Sequence, residues 1–329
     1  MRSSATQAIK RFLARRNAVV LTYHCVQRPE LPFPVWHHME ERAFEEQIAW
    51  IARSFHCVKA SQLVADLDRG RLVPNTVAIT LDDGFANTLH VVLPILERHR
   101  VPATIFLAAG FMDQDRLMWP EHMVLILAAT HRTEIEFRGQ RWPIDSVAGK
   151  VAAYRALVPA CKQSNAAELA GFLQELEQAA GVEAHALRDH PLWDPYRLMT
   201  WAEVGALASS PLIEFGAHTV NHAMLSQLDD EQARWEIAAS RRMIEERTGP
   251  VTLFAYPYGG SLDYGERHQH MAREAGFSAA FSAQAGTVLP DSERFNLARV
   301  GVGGQGTLAE LGHTLNGGIA FATGKPRWR

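Results

Sequence analysis

The sequence predicts an α/β barrel of parallel strands, and three observations carry that expectation. Thr76-Val77-Ala78-Ile79-Thr80-Leu81 is a continuous apolar and β-branched run, the pattern of a strand buried on both faces. Runs of this kind alternate with segments of helical period across short connections, as in βαβ units. The chain has 329 residues, a length that suits one large barrel carrying an insertion. Such alternation favours a (β/α) barrel of eight units or fewer.

The first strand signal is Ala18-Val19-Val20-Leu21-Thr22-Tyr23, which delivers His24 at its C-terminal end. A helix is expected over 42–54, because Phe44, Gln47-Ile48 and Ile51 recur on one face. A second follows at 60–69, and Pro74-Asn75 punctuates its end. The buried run 76–81 stops at Asp82-Asp83-Gly84. A helix at 87–99 comes next, and Pro102 restarts the chain into Ala103-Thr104-Ile105-Phe106-Leu107, another buried strand.

The regular pattern lapses from about 112 to 198. Helical stretches are expected there at 120–130, 147–160 and 165–180. A hairpin joins Glu134-Ile135-Glu136-Phe137 to Arg141-Trp142-Pro143-Ile144 through Gly139. We read this region as an insertion carried by the barrel. Alternation resumes with strands at 212–216, 252–256, 278–282 and 297–301, and with helices at 201–208, 229–246, 265–275 and 307–315. The expected organisation is a basic lead-in over 1–17, a barrel over 18–316 with its helical insertion at about 112–198, and a tail over 317–329.

Bulk properties narrow the function classes. Hydrophobic residues make up 47% and charged residues 21%, an ordinary globular balance. The formal net charge of -3 offers no electrostatic support for nucleic-acid binding, and leaves a neutral partner such as a glycan open. Three widely spaced cysteines, Cys25, Cys57 and Cys161, are not a disulfide framework and suit a reducing compartment. No signal-peptide run and no transmembrane segment is expected. The first 16 residues can form a short basic amphipathic helix, with Ile9, Phe12 and Leu13 on one side and Lys10, Arg11, Arg15 and Arg16 around it. It is read as a solvated lead-in or as a peripheral membrane contact. The expected location is the cytoplasm, including the inner face of the membrane.

Two places carry chemistry. At Asp82-Asp83-Gly84, two carboxylates follow a buried strand directly, and the glycine permits a sharp exit. Barrel active sites lie at the C-terminal ends of strands. A helix cap accounts for one Asp but not for its neighbour, and adjacent like charges are costly unless a cation joins them. His218-Thr219-Val220-Asn221-His222 stands past the strand-like 212–216 and offers two imidazoles that can converge on one metal. With 15 histidines in the chain, such a pair is weak alone and gains weight from its position. Asp/His/His is a three-ligand open set for zinc, with cobalt and nickel also compatible, and a second carboxylate beside it could accept a proton from water. Hydrolysis of an amide or ester follows from these parts.

Thr80-Leu81-Asp82-Asp83-Gly84-Phe85 resembles the first motif of the polysaccharide deacetylase family, the NodB-homology domain of carbohydrate esterase family 4. His218-Thr219-Val220-Asn221-His222 resembles its second motif, and Phe254-Ala255-Tyr256-Pro257-Tyr258-Gly259 its third. The resemblance spans roughly 18–110 and 199–301. It implies a distorted barrel of about seven strands and hydrolytic removal of N-acetyl groups from an N-acetylated glycan. It also implies that Asp83, His218 and His222 hold the divalent metal, that Asp82 is the catalytic base, and that the backbone N–H of Tyr258 stabilises the oxyanion.

Two departures from the family pattern matter. The third motif usually carries an Arg where this chain has Ala255; Arg299, at the end of a neighbouring strand, can substitute, or it is an ordinary surface Arg. The usual C-terminal Leu-x-His is absent from a strand context, since Leu311-Gly312-His313 falls in a helical stretch. Instead, Leu21-Thr22-Tyr23-His24 resembles the N-terminal strand of members with circularly permuted motifs, which include exopolysaccharide poly-N-acetylglucosamine deacetylases. His24 is therefore the candidate general acid, against the reading of a packed core histidine.

Other residues receive weaker readings. Trp119 and Trp142 either pack or stack on sugars. His37-His38 and the pair His268 and His270 show no partner carboxylate in sequence and are given no role; Cys25 is read as a small buried residue. The alternatives that stay open are an O-acetyl esterase, a deformylase or other C–N hydrolase of the same fold, and a silent glycan-binding barrel. The sugar, the chain length and the oligomeric state are not specified.

Overall fold

The computed structural model describes residues 17–28, 32–164, 166–304 and 306–315. Residues 1–16 and those beyond 315 lie outside the described residues, and with them nearly all of the expected basic lead-in and the tail.

The strands are β1 (Val19–Tyr23), β2 (Cys25–Gln27), β3 (His38–Glu40), β4 (His56–Val58), β5 (Thr76–Leu81), β6 (Ala103–Leu107), β7 (Glu134–Phe137), β8 (Gln140–Pro143), β9 (Ile213–Ala217), β10 (Leu253–Ala255), β11 (Ala279–Phe281) and β12 (Val300–Gly301). Eight of them form one sheet in the order β11-β10-β9-β6-β5-β1-β12, with β4 paired to β5 off that path. Each pairing in this sheet is parallel. The sheet curls: Leu297 bridges to Phe281 of β11, while Val300 pairs with Leu21 of β1, so residues 297–300 reach both edges. This is a distorted barrel of the kind the family resemblance implies.

Side-chain alternation sorts the sheet into two faces. Val20, Ala78, Phe106, Leu253, Ala255, Phe281 and Leu297 form one buried cluster. The alternate positions Leu21, Ile79, Leu81, Ile105 and Leu107 join a larger one, together with Phe44, Ile48 and Ile51 of the helix Glu41–Ser54. The smaller cluster lines the barrel. The positions that continue it toward the strand ends are Thr22 and His24 after Val20, Thr80 and Asp82 after Ala78, and Arg299 after Leu297; the period of two thus delivers polar groups to one end of the barrel. Gly216 belongs to this face. A Cβ there would stand 2.4 Å from the Phe106 ring and 3.0 Å from the Leu253 carbonyl oxygen, so only glycine leaves room for Phe106.

β6 and β9 are neighbours in the sheet, and the chain between them makes a long excursion. It contains helices Trp119–Ala129, Val147–Gln163, Ala166–Ala180, Ala184–Arg188, Trp193–Tyr196 and Trp201–Ala208, and the β7–β8 hairpin. Leu125, Ile126, Leu127, Tyr154, Leu157, Phe172 and Leu176 of this excursion are buried in the larger cluster, so it packs on the barrel rather than projecting from it. The short strands β2, β3 and β4 are additions to the sequence reading. The expected helix at 87–99 is also refined: a wide turn over Thr88–Val92 precedes the helix Leu93–His99.

Candidate metal centre

Asp83 leaves β5 through a left-handed backbone, φ 74°, and Gly84 follows at φ 91°. Thr219, His222 and Tyr258 are also left-handed, at 62°, 52° and 59°. Such conformations cost roughly 1–3 kcal/mol each for non-glycine residues and persist only where the surroundings over-determine them. Half of the eight non-glycine examples among the described residues therefore gather around one site.

The loop bearing the two histidines is held from several directions. The His218 N–H donates to Leu107 O, and the Gly110 N–H donates to Val220 O. Glu236, buried on the helix Asp230–Thr248, accepts from the backbone N–H groups of Val220 (2.8 Å) and Asn221 (2.9 Å) and from Asn221 Nδ2 (2.8 Å). Nothing local in the sequence marks Glu236; only the tertiary fold brings it under this loop.

The histidine side chains and Asp83 then converge. Asp83 Oδ1 lies 3.6 Å from His218 Nε2 and 3.4 Å from His222 Nε2. His218 Nδ1 donates to Ala255 O at 2.7 Å, which leaves Nε2 unprotonated and facing the carboxylate. The geometry fits a cation on one further count: Asp83 Oδ1 is buried without a hydrogen-bond partner. Burial, and then the charges of Asp82 and Glu121, push the Asp83 carboxyl well up from its ordinary value. Burial pushes both imidazoles down, so they are neutral. A buried orphan carboxylate oxygen facing two neutral imidazole nitrogens is a donor set that a divalent ion satisfies.

Beside this set, Arg299 grips Asp82 with both nitrogens, Nη1 to Oδ1 at 2.7 Å and Nη2 to Oδ2 at 2.8 Å, while its Nε donates to Ser282 O at 2.8 Å. Arg299 is 1% exposed, so it is not a surface residue. Burial alone would raise the Asp82 carboxyl, but the Arg299 and His218 charges outweigh it and hold the group at about 2. Asp82 is therefore ionised at neutral pH, oriented in one plane, and 3.8 Å from His218 Nε2.

His24, Trp36 and Tyr258 complete the walls. The His24 ring meets Trp36 edge-on with centroids 5.0 Å apart, and His24 Nδ1 is buried without a partner. Burial lowers the His24 pKa to about 3, against the opposing pull of Asp82. The Tyr258 ring stands 4.9 Å from that of His222, and among the described residues its backbone N–H has no acceptor. The β6–β9 excursion contributes here: Trp119 Nε1 donates to the Tyr258 hydroxyl at 2.9 Å, and Lys162 lies 5.2 Å from the Tyr258 ring centre.

Some residues resolve differently from the sequence reading. His37 and His38 do have a partner carboxylate, Glu121, which the helix Trp119–Ala129 brings from a distant part of the chain. His268 helps to cap a helix through its contact with the Gly265 N–H. Cys25 is fully buried and receives a hydrogen bond from Asn87.

The model of the family described as polysaccharide deacetylase matches residues 69–280, more than half of the chain. No curated protein matches the sequence. The fold is similar to the deacetylase PplD of Streptococcus pyogenes, solved with acetate, at 13% identity and a TM-score of 0.61 over 91% of this chain and 98% of that one. It is similar to IcaB of Ammonifex degensii at 17% and 0.59, covering 92% and 97%. It is also similar to the BpsB deacetylase domain of Bordetella bronchiseptica at 19% and 0.53, covering 87% and 96%. With the first two motifs, the barrel and the family match in agreement, the chain belongs to the polysaccharide deacetylase family and is a carbohydrate deacetylase.

Proposed function

We propose that this protein is a metal-dependent hydrolase that removes N-acetyl groups from an N-acetylated sugar unit of a glycan. The observation that carries this reading is the juxtaposition of two unlike carboxylates. Asp83 faces His218 and His222 with an orphan oxygen, while Asp82, the preceding residue, lies 3.8 Å from His218 Nε2 with both oxygens held by Arg299. One is built to ligate and the other to accept a proton.

Asp83, His218 and His222 would hold a divalent ion, zinc by default for this donor set, whose chemistry is to polarise the acyl oxygen and make water acidic. Asp82 accepts the proton of the attacking water, since it is ionised and its orientation is set by Arg299. The water oxygen bonds to the acetyl carbon, and the Tyr258 N–H donates to the oxyanion that develops. The C–N bond then breaks, and the departing nitrogen needs a proton. His24, neutral at rest, can supply one only after collecting it within the same turnover; Asp82, once it has taken the proton of the attacking water, is the source, and its charge is felt at His24. Acetate and a free amine are the products. The resemblance of the Leu21-Thr22-Tyr23-His24 segment to permuted-motif members favours poly-N-acetylglucosamine or a related lipid-linked precursor as the substrate class.

The test is a panel of N-acetylated, O-acetylated and N-formylated sugars, with acetate or formate and newly formed amine measured together. Equimolar acetate and amine from N-acetyl sugars is the expected result. Turnover confined to O-acetyl or formyl substrates would replace this reading with an esterase or a deformylase, and release from none of them would favour a silent barrel.

A further inference from the structure

Besides the Asp83 centre, one other group of side chains among the described residues places three metal-ligating atoms within reach of a single ion: His37, His38 and Glu121. Their exposures are 7%, 0% and 1%. Neighbouring residues on an extended strand point to opposite faces. Here the turn at Trp36 and His37, just before β3, brings both imidazoles to the same side. His37 Nε2 lies 2.8 Å and His38 Nε2 3.2 Å from the same oxygen, Glu121 Oε1, with the rings nearly perpendicular.

Hydrogen bonding alone leaves half of this carboxylate unexplained. Glu121 Oε2 is buried with no hydrogen-bond partner. A carboxylate oxygen sealed from water without a donor is costly; the two nitrogens face Oε1, so a divalent ion removes that cost where the carboxylate also reaches it through Oε2. His38 Nδ1 also lacks a partner, a cost that arises whether its Nε2 faces a proton or an ion. Nitrogen and oxygen atoms about 2.0–2.1 Å from a tetrahedral zinc stand about 3.3 Å apart; the His38 contact at 3.2 Å has that spacing, and His37 at 2.8 Å reaches it by a small outward shift. Two imidazoles and one carboxylate are a familiar zinc set, and one position remains for water.

We propose that His37, His38 and Glu121 form a second divalent-cation site, separate from Asp83, His218 and His222. It joins the strand β3, beside the wall that carries His24 and Trp36, to the first long helix of the β6–β9 excursion. The ion staples these two segments together and holds that wall in place.

The test is a count of zinc. Metal-stripped full chain is loaded with Zn2+, passed through gel filtration and analysed by atomic emission, alongside Glu121→Gln and His222→Ala. The expected counts are two per wild-type chain and one per chain in each variant. One zinc in the wild type, lost in His222→Ala and kept in Glu121→Gln, would overturn the second site and leave a hydrogen-bonded cluster. Two zinc ions retained in Glu121→Gln would do the same. His37→Ala, at the cluster's edge, is the second variant should Glu121→Gln fail to fold; it is expected to bind one, and two would overturn the site. One zinc in the wild type, lost in Glu121→Gln and kept in His222→Ala, would leave the second site standing and contradict the Asp83 centre instead. Because the two sites are lost in different variants, failure of this site and failure of the catalytic reading give different results.

Discussion

Arg299 and Asp82 meet through two parallel N–H···O bonds at 1% and 4% exposure, where solvent screens little. Removing either partner strands the other as a buried charge, at about 3–5 kcal/mol. Asp82→Asn is therefore expected to lower stability by that order in urea denaturation, to reduce turnover by roughly 10²–10⁴-fold as loss of a general base does, and to keep the wild-type zinc content. The double variant Asp82→Asn with Arg299→Met is expected to recover much of the stability and none of the turnover. His222→Ala, by contrast, is expected to lose one zinc equivalent together with activity. Equal zinc loss in Asp82→Asn and His222→Ala would show that the two aspartates do not divide the work in this way. Asp82, Asp83, His218 and His222 are legible in the sequence because each pair is contiguous or nearly so and stands at a strand end. Arg299 is reachable only through the missing Arg at Ala255. Glu236 and Glu121 are not legible at all, because a carboxylate on an amphipathic helix looks solvated until the fold supplies its partners.

At the scale of elements, the two-residue period of the strands decides which groups reach the site, and it depends on the interior being filled correctly. Gly216→Ala places a methyl 2.4 Å from the Phe106 ring, and overpacking of this kind costs about 1–3 kcal/mol. We expect that loss in urea denaturation, and partial rescue by Phe106→Leu; an unchanged midpoint would show that the ring moves freely. The helix Trp201–Ala208 offers a pH-dependent counterpart. Its Thr200 cap closes on Glu203, whose carboxyl is held at about 2, chiefly by its hydrogen bond to Arg197. The folded value lies below the ordinary 4.5, so the unfolded chain binds the proton first as pH falls. The stabilisation is complete above about 4.5 and is lost between there and about 2. Glu203→Gln is expected to flatten that part of the stability–pH profile and to leave the neutral-pH zinc content unchanged. The six-residue β5 is easily read from its continuous apolar run, and the 19-residue helix Asp230–Thr248 from its helical period. β2, β3 and β4, at three residues each, are too short to display a period and are stabilised by partners remote in sequence.

For the whole molecule, the curled parallel sheet gathers strand ends from residues 24 to 299 around one centre, and the β6–β9 excursion closes one side of it through Trp119 and Lys162 against Tyr258. That closure was not legible, because the excursion interrupts the barrel pattern and carries no motif of its own. Among the described residues, no helix is long and apolar enough to cross a membrane. The basic lead-in lies outside those residues; fractionation that finds the protein with the cytoplasmic or inner-membrane portion is the expected result, and recovery from the periplasm or medium would contradict it. The central claim is that an ion held by Asp83, His218 and His222 makes this barrel an amide hydrolase. It is tested most directly by measuring acetate release from short N-acetylglucosamine oligomers with metal-stripped protein, before and after addition of zinc. The account predicts no release without zinc and restored release with it, abolished again in His222→Ala. Release that is undiminished by stripping, or that survives in His222→Ala, would contradict it.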